Sequence, residues 1–210
     1  GGAGNDTLNG GSATDVLYGG DGNDTVNAGA GNDLIIGGDG AGDDMYSGGD
    51  GVDTVKYTSA LASITVNLST AVGTATSTAG GDASHIGNDT LAGIENIIAG
   101  NYNDILTGSA LDNAFTGESG NDTINGGSGN DTAIYQGTKS QYTITNNNNG
   151  TWNIVDTVVG RDGTDTISNI EFLQFTDQTY TLTAVTSLTR IGTSGVDTLT
   201  GGAGNDILIG

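Results

Sequence analysis

The chain has no cysteine and no proline in its 210 residues. Disulfide staples are therefore excluded, and the redox compartment stays open. Basic residues are almost missing: four Lys plus Arg stand against 25 Asp plus Glu, for a formal net charge of -21. That imbalance argues against nucleic acid and anionic membrane as partners. It favours a cationic partner, of which a divalent metal is the simplest. Aromatics make up only 5%. No apolar run approaches the roughly 20 residues of a membrane-spanning helix. No secretory leader is visible, the first residue is not Met, and both ends fall inside a repeat, so the sequence reads as part of something longer. High charge with few large apolar residues ordinarily marks disorder. What is present reverses that expectation: 39 glycines, many of them on a fixed period, and stacked repeats can bury a shared core.

The period is nine. Residues 1–9 read GGAGNDTLN, 10–18 GGSATDVLY, 19–27 GGDGNDTVN and 28–36 AGAGNDLII; 37–47, GGDGAGDDMYS, carries two extra residues, and 48–56 is GGDGVDTVK. A second block runs AGNYNDILT (99–107), GSALDNAFT (108–116), GESGNDTIN (117–125) and GGSGNDTAI (126–134), and a third begins at GTSGVDTLT (192–200). The template is Gly-Gly-x-Gly-x-Asp-x-U-x, with U apolar. The U places hold Leu8, Leu17, Val26, Ile35, Tyr46, Val55, Leu106, Phe115, Ile124, Ala133, Leu199 and Leu208. β-Branched and aromatic types are common among them, which predicts very short strands rather than helix. Each nonapeptide thus divides into a glycine-rich turn and a strand, and two nonapeptides make an 18-residue coil. Coils stack at about 4.8 Å, with the U side chains facing inward.

Stacking sets the sixth-place aspartates in columns. Asp6 and Asp24 lie 18 residues apart and fall on one edge of successive coils; Asp15 and Asp33 fall on the opposite edge. Two carboxylates about 5 Å apart repel by roughly 3 kcal/mol at an effective dielectric near 20. A hard dication between the rungs reverses that sign. Calcium takes six to eight oxygens in flexible geometry, from carboxylates and carbonyls, whereas magnesium demands a tighter octahedron and fits less well.

These blocks resemble the calcium-binding RTX nonapeptide repeats of secreted bacterial proteins, which form a parallel β-roll. The resemblance implies that the sixth-place Asp is a side-chain ligand and that turn carbonyls complete the site. On this sequence it names Asp6, Asp15, Asp24, Asp33, Asp44, Asp53, Asp104, Asp122, Asp131, Asp197 and Asp206. The matching turn glycines are Gly2, Gly4, Gly20, Gly22, Gly38, Gly40, Gly49, Gly51, Gly127, Gly129, Gly202 and Gly204. Several places depart from the pattern. Ala13 and Ala28 replace glycines, Asn113 replaces an Asp in a glycine-poor turn, and the insertion at Ala41–Gly42 threatens the geometry of its neighbours. Pairing along the edges gives roughly four ions in the first block and two or three in the second.

Both arrays end on a tyrosine, in Asp53-Thr-Val-Lys-Tyr57 and Asp131-Thr-Ala-Ile-Tyr135. Each then enters an alternating stretch broken by Asn and Gly, which predicts a hairpin. Each returns through one motif, GNDTLAGIENI (87–97) or GTDTISNIEFL (163–173). These motifs add Asp89 and Asp165 as ligand candidates. Glu95 and Glu171, six residues further on, are either ligands or solvated. The expected fold class is all-β: parallel β-roll segments interrupted by hairpins and closed by a β-rich capping segment. The expected division is a first calcium-binding roll over 1–56, a hairpin excursion over 57–86, a second roll over 87–134, a cap over 135–190 and the start of a third array over 191–210. A cap covers the unpaired edge that an open roll exposes.

Nothing here suggests catalysis. The single histidine, His85, has no partner set, the zinc-protease signature is absent, and the carboxylate pairs are better explained as metal ligands. The expected activity is calcium binding coupled to folding, in a chain that is largely disordered without metal. The resemblance further implies export by a one-step bacterial secretion system and a secreted or cell-surface location. Three roles share this mechanism: a structural or adhesive module, a carbohydrate-binding or folding helper of an exoenzyme built on Trp152 and the tyrosines, and an enzyme in its own right. The first is favoured. Besides calcium, the candidate partners are extracellular polysaccharide and like subunits stacked end to end.

Overall fold

The computed structural model describes residues 1–37, 42–77, 85–182, 189–191 and 207–209. Apart from one 3-10 turn, Lys139–Gln141, its regular elements are all strands. Most are three to six residues long, the length that one nonapeptide can spare beside its turn. They form two main sheets, one of 11 strands and one of eight. Outside the hairpins and the last strand of the cap, successive strands of these two sheets alternate between them, as a coil with a strand on each side requires.

Register follows the repeat. In the larger sheet Leu8 pairs with Val26 and Val26 with Tyr46, in parallel; Tyr46 in turn pairs with Leu91. In the smaller sheet Leu17, Ile35, Val55, Ile97, Phe115, Ala133 and Leu173 form one unbroken parallel column. The U places therefore meet their own kind in the next coil. From Val26 and Ile35 onward these side chains are buried, and most are fully so. The thin core is this pair of facing columns, a parallel β-roll. The two-residue insertion does not break it, because Thr25 still pairs with Met45 across a 20-residue step.

The first hairpin does not stand away from the roll. Its strands, Ile64–Asn67 and Gly73–Ser77, enter the larger sheet between Asn88–Ala92 and Ile105–Thr107. Both of its inner contacts are antiparallel, while Ile64–Asn67 joins Ile105–Thr107 in parallel. The smaller sheet gains nothing at this level, since Thr54–Lys56 pairs directly with Asn96–Ile98. Two added strands widen one sheet by roughly 10 Å. The wedge so opened is filled by Tyr57, Ile64, Val66, Leu68, Ala75 and Ile86, all buried.

The second hairpin, Tyr142–Asn146 with Thr151–Asp156, ends the larger sheet, and Thr179–Thr181 ends the smaller one; all of these contacts are antiparallel. Beneath them Tyr135, Tyr142 and Phe175 pack with ring centroids 4.9 to 5.6 Å apart. Trp152 packs partly against the core. Arg161 donates from Nε and Nη2 to both oxygens of Asp156, each at 2.7 Å, and its guanidinium lies 5.1 Å from the Tyr142 ring centroid. A Cβ on Gly137 would collide with that guanidinium. The Tyr142 hydroxyl donates to Asp162. Among the described residues of the third array, Thr189–Ile191 pairs in parallel with Ile207–Ile209, 18 residues on, as one further coil would.

The Arg161–Asp156 pair is bidentate, and the Asp156 side chain is fully enclosed. Arg161→Ala should lower the stability of the calcium-saturated chain by about 2 kcal/mol, because a buried carboxylate is left without its cation. Urea unfolding at saturating calcium measures this, and a midpoint equal to the parent's contradicts it.

Candidate metal centre

The sixth-place aspartates lie at the mouth of each turn, where the chain bends from glycine-rich loop into strand. Asp24, Asp33, Asp44, Asp53, Asp89, Asp104, Asp122, Asp131 and Asp165 are all buried. Asp6 and Asp15, in the first two repeats, are half-buried. Burial of so many carboxylates demands partners, and the main chain supplies the first one. The N–H of each Asp donates to Oδ1 of the Asp one coil further on. Asp6 donates to Asp24, Asp24 to Asp44 and Asp44 to Asp89 at 2.7 to 3.0 Å. On the other edge Asp15 donates to Asp33 and Asp33 to Asp53, both at 2.8 Å. In the second block Asp104 donates to Asp122, Asp122 to Asp165 and Asn113 to Asp131. The insertion leaves these bonds intact.

Three features went beyond the template. Glu95 and Glu171 take the carboxylate's place on the second edge, where they accept from the N–H of Asp53 and of Asp131, each at 2.8 Å. Their return turns are three residues shorter than a nonapeptide, yet the residues that follow, Asn96 and Phe172, keep register with Thr54 and Thr132. The fifth place, left as x, carries a second ladder. Asn5 accepts from the N–H of Asn23, Asn103 from Asn121, and Asn121 from Thr164. The recurring Asn-Asp pair was its sequence signal. At Asn113, Oδ1 accepts from the Ser109 N–H while Nδ2 donates 2.7 Å to the Glu95 carbonyl. The amide thus bonds a carbonyl that an Asp cannot bond.

The second oxygen of the carboxylates is the telling one. Oδ2 of Asp24, Asp33, Asp53, Asp122 and Asp131 is buried with no hydrogen-bond partner. Those of Asp24, Asp53, Asp122 and Asp131 lie against the first glycine of their repeats, Gly19, Gly48, Gly117 and Gly126, in the space a Cβ would take; the repeat that carries Asp33 begins with Ala28 instead. A Cβ on Gly10 would stand 2.6 Å from Asp15 Oδ2 and would also strike the Ala28 carbonyl; Gly48 and Gly126 face Asp53 and Asp131 in the same way, each with a carbonyl of the next coil alongside. Glycine is required at those places because oxygens occupy the space a side chain would take. Other candidates have protein donors. Asp44 Oδ2 accepts from the Tyr46 hydroxyl at 2.6 Å, Asp89 Oδ2 from the Tyr57 hydroxyl at 2.8 Å, and Asp104 Oδ2 from the Gly100 N–H at 3.1 Å. Asp165 lies beside the buried Tyr135 hydroxyl, which finds no well-aligned acceptor. Gly20, Gly22, Gly49, Gly51, Gly127 and Gly129 adopt positive φ, with turn carbonyls stacked coil on coil against their Cα atoms. Gly38, Gly40, Asp197, Gly202, Gly204 and Asp206 lie outside the described residues.

No three carboxylate or imidazole side chains converge on one point among the described residues. An ion here must draw most of its oxygens from the main chain, which suits calcium and its tolerance for carbonyls. Orphaned buried carboxylate oxygens close to main-chain carbonyls fit a hard dication. His85 is exposed, in keeping with a surface residue.

A right-period parallel roll with carboxylates along both edges defines a calcium-binding repeat protein. A family model described as the RTX calcium-binding nonapeptide repeat (four copies) matches residues 1–35, 18–55, 89–112, 98–133 and 191–210. The matched stretches cover more than half of the chain, and the chain belongs to this family, which binds Ca2+ at multiple repeat sites. Comparison with curated proteins gives no match.

Burial raises the carboxyl groups: Asp122 to about 9, Asp89 to about 8, Asp165 to about 7, and Asp104 and Asp131 to about 6. Bonds from the rung N–H groups pull the other way without cancelling it. Between pH 4 and these values the metal-free fold holds protons that the unfolded chain, with ordinary carboxyls near about 4, has released. The metal-free fold is therefore favoured at acid pH and loses that stability as pH rises through about 6 to 9. With chelator present, circular dichroism should show more β structure at pH 5 than at pH 8. The calcium midpoint should fall as pH rises, by up to about tenfold per unit for each proton displaced. A chelated chain more ordered at pH 8 than at pH 5 contradicts both.

Proposed function

We propose that Asp24, Asp33, Asp53, Asp122 and Asp131, with Asp6 and Asp15 in the first two repeats, hold calcium together with main-chain carbonyls of the glycine-rich turns. The chain then acts as a folding-coupled structural module of a secreted or cell-surface bacterial protein, in an adhesive or scaffolding role and without catalysis of its own. The observation that carries this reading is the set of five buried carboxylate oxygens with no protein donor. Left empty, each costs several kcal/mol of desolvation; calcium bound there makes folding conditional on the metal. Such a chain stays open where calcium is scarce and folds at the millimolar calcium found outside cells, which suits an exported passenger. The role is read as structural because the carboxylates are committed to the ladders. The half-buried Trp152 packs on the core rather than offering a free aromatic face.

Far-UV circular dichroism of the whole chain at neutral pH tests this. The spectrum should be largely disordered in chelator and turn to β on adding calcium, while magnesium at equal concentration should fall well short. Full order in chelator at neutral pH, or equal response to both metals, overturns it.

A further inference from the structure

The five orphaned oxygens raise a question about the carboxylates between them. In the first block the edge that begins at Asp6 and Asp24 continues to Asp44 and Asp89 through the same rung bonds. Here the pattern of unpartnered oxygens stops, and two tyrosines stand in the gap. Tyr46 occupies the U place, which holds Leu8 and Val26 in the preceding coils of this column and Leu91 in the next. Its ring folds back so that the hydroxyl donates 2.6 Å to Oδ2 of Asp44, two residues earlier. Tyr57, fully buried at the end of the array, donates 2.8 Å to Oδ2 of Asp89.

The space itself is also taken. Gly37 is the first glycine of the repeat that carries Asp44, the counterpart of Gly10 and Gly48. A Cβ on Gly10 or Gly48 would meet carboxylate and carbonyl oxygens. A Cβ on Gly37 would meet ring carbons instead, 2.8 Å from Tyr46 Cε2 and 2.9 Å from Tyr57 Cε1. The space that oxygens occupy at Gly10 and Gly48 is here taken by two phenol rings.

We propose that the Tyr46 and Tyr57 hydroxyls replace a calcium ion at the Asp44–Asp89 rungs, which makes this junction a metal-free break in the edge that begins at Asp6 and Asp24. The inference rests on the calcium reading of the orphaned carboxylates. Its physical content is a substitution of donors. Where calcium satisfies an inner carboxylate oxygen in other coils, a phenolic O–H does so here, and turning that O–H away would strand a buried hydroxyl. The break falls where the larger sheet takes in the first hairpin, so the joint between the first and second arrays closes through protein contacts on this edge. An ion count that treats every sixth-place Asp as a ligand is therefore too high.

Native mass spectrometry of the whole chain in calcium gives the number of ions bound, with circular dichroism confirming that each variant is folded. Asp24→Asn and Asp33→Asn should each lose one ion relative to the parent. Asp44→Asn and Asp89→Asn should keep the parent's count, and loss of an ion from either folded variant overturns the proposal. If these asparagine variants fail to fold, Tyr46→Phe/Tyr57→Phe decides, since it keeps both rings and removes only the hydroxyls. An unchanged or higher count with a lower calcium-saturated melting temperature supports the proposal; one ion fewer means the hydroxyls were ligands and sinks it. A parent that binds no calcium, or counts unmoved by Asp24→Asn and Asp33→Asn, refutes the calcium reading itself and is distinct from either result.

Discussion

A main-chain N–H of one coil meets a carboxylate oxygen of the next at 2.7 to 3.0 Å, again and again along both edges of the roll. This contact fixes the carboxylate's orientation. With Oδ1 held by the coil behind it, Oδ2 of Asp24, Asp53, Asp122 and Asp131 is turned toward the first glycine of its own repeat. The same bond therefore ties coils together and aims an unsatisfied charge inward. Without a cation, the arrangement gathers buried negative groups at strand spacing, where repulsion and desolvation act together. A cation at the inward oxygen would offset that cost, which is the basis of the proposed calcium sites.

The apolar core alone cannot offset that charge. Each coil contributes one large inward side chain per strand, and the faces of the sheets away from the core carry threonine, asparagine and serine. A roll of this kind resembles other repeat architectures in that each coil touches only its neighbours. Here the neighbour contact includes the charge ladder, so folding and metal loading spread along the same axis. The asparagines of the fifth place add a tie in the opposite direction, because Asn5 accepts from the coil ahead while Asp24 accepts from the coil behind. The two ladders lock register between coils whose strands are too short to fix it by packing.

Much of this was legible in the sequence, because the nine-residue period is a geometric statement. An apolar residue every nine places, in an 18-residue coil, has to form two facing columns, and Leu17 through Leu173 do so without interruption. The insertion before Asp44 leaves the strand register and the rung bond intact. The rest was hidden for identifiable reasons. Glu95 and Glu171 sit six residues after an Asp rather than nine, so the sequence marks them as candidates without deciding between a rung and a solvated side chain. The asparagine ladder fell in a place where Thr14, Val52 and Asp112 also occur, which blurs its signal. The hairpin over 64–77 reads as a separate excursion along the chain, yet its alternating Ile64 and Val66 need a buried face, and only the larger sheet offers one.

The interruptions share a logic that the regular coils do not show. At several described places where the repeat is broken, a group of the protein supplies the positive end of a dipole or a full charge to an acidic or carbonyl oxygen. Tyrosine hydroxyls do so at Asp44 and Asp89, the Asn113 amide does so at the Glu95 carbonyl, and Arg161 does so at Asp156 in the cap. In a chain with only four Lys and Arg, these are costly residues to place by chance at such points. Junctions and ends are where a coil lacks a neighbour of its own kind, and a site shared between two coils is incomplete there. A donor built into the sequence is complete in one coil. The regular coils thus leave buried carboxylate oxygens without a protein donor, while these joints are held by groups the chain carries with it.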